Sequence, residues 1–269
     1  MDKNSYIGVF DSGIGGLTVV KGILDLLPNE NIVYFGDTAH VPYGTRSRRQ
    51  ITQYVLDDVR FLRQYDIKAV VIACNTADST ARETVIDKYP DLPVYGVVHP
   101  ASRKAAALTK NNRIGVIATK ATANSRAYDR AIASYNPRAQ VFSEGCPLLV
   151  PLVENGRFQK GDIVPETVVQ EYLDPLAAKG IDTLILGCTH FPLLTDIIRE
   201  HYPDLTIISS SGAAAENLRE GLEEADMLSD SPGGEHKYFV SDDAALVEDI
   251  AHYFMGSALN DRVQQVTVG

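Results

Sequence analysis

The sequence predicts a doubly wound α/β protein on mostly parallel strands, with a sign of two related halves. Three observations predict it. Short apolar runs rich in Val and Ile alternate with helical patterns along almost all of the 269 residues. The runs are continuously apolar, as strands covered on both faces of a parallel sheet are, rather than alternating. Two of them also end alike. Val70-Val71-Ile72-Ala73 leads into Cys74-Asn75-Thr76, and Leu184-Ile185-Leu186-Gly187 leads into Cys188-Thr189-His190.

In chain order the expected strands are Tyr6–Phe10, Ile32–Phe35, Ala69–Ala73, Val94–Val98, Ile114–Ala118, Thr183–Leu186, Thr206–Ser209 and Tyr238–Val240. Helical patterns lie between them. From Ser47 to Tyr65, Ile51, Tyr54, Val55, Val59 and Leu62 recur at helical spacing, and a second pattern runs from Thr76 to Tyr89. Ser229 to Glu235 is polar, contains Pro232-Gly233-Gly234, and reads as a surface turn. Strands joined by helices pair in parallel, and such sheets bind ligands beyond the carboxyl ends of their strands. The loops there are Asp11-Ser12-Gly13, Gly36-Asp37-Thr38, Cys74-Asn75-Thr76, His99-Pro100, Thr119 and Cys188-Thr189-His190. Small polar residues and thiols line nearly all of them.

The length suits one large or two modest domains, and 45% hydrophobic residues suffice for a core. No apolar run reaches the ~20 residues of a membrane span. Met1-Asp2-Lys3-Asn4-Ser5 lacks the features of a secretory signal, so a cytoplasmic protein without a membrane partner is expected. A net charge of −10 disfavours a nucleic-acid partner, which wants a basic face. The one dense basic patch, Arg46, Arg48 and Arg49, reads as the exposed start of an amphipathic helix. Three cysteines with no export signal do not suggest a disulfide scaffold. No C-x-x-C pair is present and the six histidines are scattered, so no metal site is expected.

A lone cysteine is ordinarily a small buried hydrophobe, and Cys146 before Pro147 fits that description. Cys74 and Cys188 differ, since each stands where a strand gives way to a helix. A helix N-terminus favours negative charge and is expected to lower a thiol pKa. Asn75, Thr76 and Thr189 could cap the helices or offer donors to a ligand carboxylate. Pro192 suits a first helical turn. Two opposed thiols could exchange redox equivalents, act singly as a nucleophile, or work as acid and base on opposite faces of one carbon. A thiol suits the last task because its pKa of ~8.5 lies near cellular pH.

Asp11-Ser12-Gly13-Ile14-Gly15-Gly16 follows the first strand but fails the dinucleotide fingerprint, because Thr18 stands in the last glycine's place. It reads as a tight turn, or as giving Asp11 and Ser12 to a substrate. Pro42-Tyr43-Gly44 is a turn whose amides could bind a second carboxylate. Glu154 reads as an ordinary exposed acid, and His190 as a helix-start histidine brought close to Cys188 by its position.

Four segments together resemble the aspartate/glutamate racemase superfamily, in its glutamate-racemising branch. They are Ile7–Thr18, Tyr34–Gly44, Ile72–Thr76 and Leu184–Leu194. The resemblance covers nearly the whole chain. It implies cofactor-independent interconversion of L- and D-glutamate, which supplies D-glutamate for peptidoglycan, the cell wall and cell shape, with no cofactor and commonly as a homodimer. It implies two pseudo-symmetric α/β domains with the active site in the cleft between them, residues 1–97 plus 207–269 and residues 98–206. It places catalysis on Cys74 (acting on the D-isomer) and Cys188 (the L-isomer), supported by Asp11, Glu154 and His190. It places substrate contacts on Asp11, Ser12, Pro42, Tyr43, Gly44, Asn75, Thr76, Thr119, Thr122, Thr189 and His190. Ala118, Asp78 and Ser210 depart from the family's usual Gly, Thr or Ser, and Asp. Other substrates of the superfamily (aspartate, hydantoins, arylmalonates) and a non-catalytic amino-acid-binding module are the alternatives.

Overall fold

The computed structural model describes residues 2–257, 259 and 261–268. Its strands are β1 (Tyr6–Asp11), β2 (Ile32–Gly36), β3 (Ile67–Ile72), β4 (Val94–Tyr95), β5 (Arg113–Ala118), β6 (Gln140–Gly145), β7 (Thr183–Gly187), β8 (Thr206–Ser209), β9 (His236–Val240) and β10 (Val263–Gln265). Helices follow most of them: α1 (Leu17–Leu26), α2 (Arg48–Leu62), α3 (Asn75–Lys88), α4 (Val98–Leu108), α5 (Lys120–Ser125) and α6 (Ala127–Tyr135) in the first part. The rest are α7 (Leu149–Glu154), α8 (Ile163–Ala177), α9 (Thr195–His201), α10 (Ser210–Glu224) and α11 (Ala244–Met255). Among the described residues no helix is long and apolar enough to cross a membrane.

The strands form two sheets, ordered β10-β9-β2-β1-β3-β4 and β6-β5-β7-β8. Every pairing is parallel. The order β2-β1-β3-β4 recurs as β6-β5-β7-β8, so β1 corresponds to β5 and β3 to β7. The two cysteine-ended runs are therefore the same strand of a repeated unit. In each unit the order reverses beside the first strand, and that switch point is where open α/β sheets bind ligands.

Alternate residues of β3 serve opposite faces, as the strand period requires. Ala69 and Val71 join Ile7, Val9 and α1 in one core, while Val70 and Ile72 join Phe10, Phe35, Val55 and Val59 in another. The first core runs without a break into the second sheet through α1, α4 and α10, taking in Ile114, Val116, Leu184 and Leu186. Burying one such side chain contributes roughly 1.5–3 kcal/mol.

The structure corrects the expected strand Val94–Val98, which stops at Tyr95. Asp78 accepts hydrogen bonds from the amides of Val97 and Val98, at 2.9 and 2.8 Å, so these donors leave the ladder and open α4. His99-Pro100 accordingly lies within α4, not in a loop. Gly96 sits against that carboxylate, and a Cβ there would lie 2.1 Å from Asp78 Oδ1. Two strands, β6 and β10, have no counterpart among the expected ones. The boundary drawn at Ile207 falls within β8, which pairs with β7.

Candidate active site

Each thiol sits just past the carboxyl end of the third strand of its unit. Cys74 is the N-cap of α3, and Cys188 precedes a short 3-10 turn, Phe191–Leu194, with Pro192 in its first turn. Both are buried and free, and both line one cavity of about 50 Å3. Its walls come from the two units alike. Ser12, Pro42, Tyr43, Gly44, Asn75 and Thr76 belong to the first, and Thr119, Thr189 and His190 to the second. Larger hollows, of about 290, 540, 480 and 220 Å3, lie elsewhere on the surface and contain neither thiol. A volume of 50 Å3 holds a few waters and is too small for an amino acid, so the walls must part to admit one.

Three expected residues stand behind the walls. Asp11 is buried, accepts from the Gly13 amide at 3.0 Å through Oδ2, and among the described residues has no partner for Oδ1. Burial raises its pKa, against the opposing pull of His190. Thr122 completes a triangle of hydroxyls with Thr76 and Thr119, at 2.9, 3.2 and 3.0 Å. That triangle joins α3 of the first unit to α5 of the second. Glu154 reaches the site only through His190, whose Nε2 lies 2.9 Å from its Oε1.

The two sulfurs meet different company. Cys74 Sγ donates to Ser12 Oγ at 3.3 Å. Burial, followed by the nearby Asp11 charge, pushes the Cys74 thiol up to about 12, although Ser12 and the Ala77 amide pull the other way. The expected lowering by the helix N-terminus is thus overturned at Cys74, because desolvation outweighs a few oriented amides. Cys188 Sγ lies 3.9 Å from His190 Nδ1. Burial works against a charged His190, but Cys188 and Glu154 outweigh it and hold the imidazole at about 10. His190 is therefore an imidazolium at neutral pH.

Capping by Asn75, Thr76 and Thr189 is also corrected. None makes a cap bond, because Cys74 is the cap residue of α3 and His190 that of the Phe191–Leu194 turn. Asn75 instead donates to Ser210 Oγ at 3.2 Å and accepts from the Tyr128 hydroxyl at 2.6 Å. It thereby ties the start of α3 to α10 and α6. Tyr43 is buried with its hydroxyl 2.7 Å from Asp37 Oδ2 and 3.1 Å from Asp58 Oδ2. Asp37 thus braces the Tyr43-Gly44 turn from behind.

Gly13, Val41 and Val150 line the cavity without having been singled out as contacts. Val150 lies on α7 and reads in sequence only as one residue of an apolar run. The purpose of Gly15 was likewise hidden. A Cβ there would lie 2.3 Å from Thr189 Oγ1 and 2.4 Å from His190 Nδ1. The glycine-rich loop makes room for the second unit's histidine, not for a phosphate.

Residues 7–218 match the family model described as Asp/Glu/Hydantoin racemase. The chain is 44% identical to glutamate racemase of Neisseria meningitidis over 264 residues, 98% of this chain and 97% of that one. It is equally identical to glutamate racemase of Geobacter metallireducens, over 97% and 96%. Glutamate racemase isoform RacE1 from Bacillus anthracis superposes with a TM-score of 0.93 at 39% identity, covering 98% of both chains. Glutamate racemase from Francisella tularensis in complex with D-glutamate does so at 0.90 and 37%, with the same coverage. By family, fold and the pairing of its thiols across one cavity, the chain belongs to the Asp/Glu/Hydantoin racemases and is an amino-acid racemase.

Proposed function

We propose that this enzyme interconverts L- and D-glutamate without a cofactor, with Cys74 and Cys188 on opposite faces of Cα. The observation that carries this reading is the single closed cavity lined by both sulfurs, one from each unit. The D-glutamate complex of the Francisella relative supports the choice of substrate.

In the forward direction a thiolate at Cys188 takes the α-proton, and the neutral Cys74 thiol gives its proton to the opposite face. One C–H bond breaks, one forms, and the configuration inverts. The environments suit these starting roles. The raised pKa of Cys74 keeps it a proton donor. The His190 imidazolium, held by Glu154, supports negative charge on the Cys188 sulfur. Each turnover leaves the protonation states exchanged and the enzyme ready for the other isomer. The amides of Ser12 and Gly44 and the hydroxyls of Thr76, Thr119 and Thr189 are the donors for the two carboxylates. Fixed donors in a closed cavity stabilise the carbanion-like state better than water, which must reorganise.

The two sheets with their helices act as two lobes, parting to admit glutamate and closing to exclude water. The division lies near residues 97 and 207, with β8 remaining in the second lobe. The product supplies D-glutamate for peptidoglycan in the cytoplasm, and the working form is a homodimer, as the resemblance implies.

The test is incubation of pure enzyme with L-glutamate in heavy water and no added cofactor. Deuterium at Cα together with loss of optical rotation is expected. Retention of protium at Cα in racemised product, or equal turnover of L-aspartate, overturns the proposal.

A further inference from the structure

The chain passes between the two units twice. It leaves the first sheet at the end of β4, Tyr95, and enters α4 at Val98, where it packs on β7 and β8. It returns from β8 into α10 at Ser209 and Ser210. One helix of the first unit, α3, holds both passages. Near its start Asn75 donates to Ser210 Oγ at the return. About one turn further along, Asp78 holds the outward passage, since its Oδ2 accepts from both the Val97 and the Val98 amides.

Asp78 has no part in the chemistry above. It is buried and does not line the thiol cavity. Its own amide donates to the Cys74 carbonyl at 2.9 Å, so it stands on the turn that carries the sulfur. Among the described residues its Oδ1 has no hydrogen-bond partner, and Arg82 Nε stands 3.9 Å away. Gly96 lets the carboxylate press directly on the backbone of the passage. Arg82 adds a grip just before it, with Nη2 donating to the Val94 carbonyl at 3.4 Å. Burying a carboxylate is costly unless it is paired, and here the pairing is made with the passage itself.

The same helix meets the second unit in another way at the cavity wall. There Thr76 touches Thr119 and Thr122, side chain to side chain. Walls that part to admit a ligand must separate these hydroxyls. The Val97 and Val98 amides stay beside α3, because the chain ties them to the first sheet at Tyr95. The two links therefore differ in kind: one is an edge that opens, the other a fixed point. From this geometry we infer, on the proposed closure around glutamate, that Asp78 is a positioning residue for racemisation, the pivot about which the lobes shut. Two amides bound to one oxygen fix the direction in which α4 leaves α3. Without that oxygen the first turn of α4 has two orphan donors that must turn to water, and the closed arrangement loses population.

The test is alkylation of the full-length protein by iodoacetamide with no substrate present, read at each cysteine by mass spectrometry. Cys74 and Cys188 are sealed in the cavity when the lobes are shut, whereas Cys146 is buried outside it and reports loosening of the whole molecule. In Asp78→Ala, Cys74 and Cys188 should both react at least about fivefold faster, since the net worth of one hydrogen bond already shifts an equilibrium by that much. Cys146 should keep the parental rate. Asp78→Asn retains an oxygen for both amides and should stay within about twofold of the parent. If the alanine variant does not fold, Asp78→Ser, with a shorter acceptor, should give a rise at Cys74 and Cys188 between these two. The KM values for L- and D-glutamate should rise by the same factor, because a pivot serves both faces of Cα alike. Unchanged alkylation, or a rise at Cys146 as large as at the other two, overturns the pivot. So does faster alkylation at Cys74 alone with a changed ratio of the two KM values, which would mean that Asp78 acts only through its own helix. Absence of glutamate turnover in the parent would overturn the proposed substrate, while the alkylation rates would still decide the pivot.

Discussion

The two units present the same strand order and the same strand-end thiol, yet they treat the sulfur differently. Around Cys74 the neighbours are a hydroxyl, a buried carboxylate and the first turn of a 14-residue helix. Around Cys188 they are an imidazolium and, behind it, a carboxylate. A repeated backbone therefore supplies symmetric placement, and local side chains supply asymmetric chemistry. One thiol is held as an acid by burial, and the other is given a positive neighbour. In the proposed reaction this difference gives Cys74 the starting role of donor and Cys188 that of base.

The largest expected effect is loss of either sulfur. Cys74→Ala and Cys188→Ala should each lower racemisation about 10³-fold or more, since positioned acid–base groups contribute about 10²–10⁴ each. If either variant racemised both isomers at the parental rate, the opposition of the two thiols would not be the mechanism. A sharper version uses His190→Asn. Weakening the Cys188 side makes proton transfer at that face more nearly rate-limiting. With α-deuterated substrate, the isotope effect should rise for the isomer whose Cα–H faces Cys188 and fall for its mirror image. Equal isotope effects in both directions would mean that His190 serves both thiols alike.

Gly15→Ala comes next. The added methyl collides with Thr189 Oγ1 and with His190 Nδ1, the nitrogen that faces Cys188 Sγ at 3.9 Å. Overpacking of this kind costs about 1–3 kcal/mol, and activity should fall tenfold or more through displacement of His190. Gly212→Ala is the matched control. It lies near the start of α10 with its nearest neighbour 3.9 Å away, and should be neutral or slightly stabilising.

The strands most readily read in advance are those buried on both faces, since β1, β2, β3 and β7 each carry an apolar run, although β3 also holds the buried Lys68. β6 and β10 escaped because polar side chains break their runs, whereas the other two edge strands, β4 and β8, stay legible. Gln140, Ser143, Glu144, Gln264 and Gln265 face partly into water, so no apolar run marks them. The thiols and the loops at the strand ends were legible because residues of one chemical type recur at one topological position. What depends on the meeting of the two units was not legible. The rise at Cys74 comes from burial against Asp11, the need for glycine at 15 comes from His190, and Val150 reaches the cavity from a helix distant in sequence. None of these leaves a local pattern.

The pH dependence of stability offers a smaller effect. Folded His190 binds its proton at about 10, above the ordinary 6.5. Its contribution is therefore complete below about pH 6.5 and is lost as pH rises toward 10. Thermal unfolding should show a loss across that window that His190→Asn diminishes. An unchanged profile in the variant would mean that the imidazole is neutral in the folded chain.

The smallest effect lies behind the Tyr43-Gly44 turn. The Tyr43 hydroxyl has one hydrogen but lies within reach of two carboxylates, Asp37 at 2.7 Å and Asp58 at 3.1 Å. One hydrogen cannot serve both. Burial, and then the Asp37 charge, hold the Asp58 pKa well above the ordinary carboxyl value. A proton held by Asp58 would let it donate to the tyrosine oxygen while Tyr43 donates to Asp37. An asparagine at 58 can make the same donation through its amide. Asp58→Asn should thus change stability at pH 7 by less than about 1 kcal/mol, whereas Tyr43→Phe takes from buried Asp58 its tyrosine partner, leaving Asp37 with His40 and Ser241, and should cost about 1–3 kcal/mol. Denaturant titration of the two variants separates the cases. If Asp58→Asn costs as much as Tyr43→Phe, the Asp58 carboxylate is ionised and the proton sits elsewhere in the cluster.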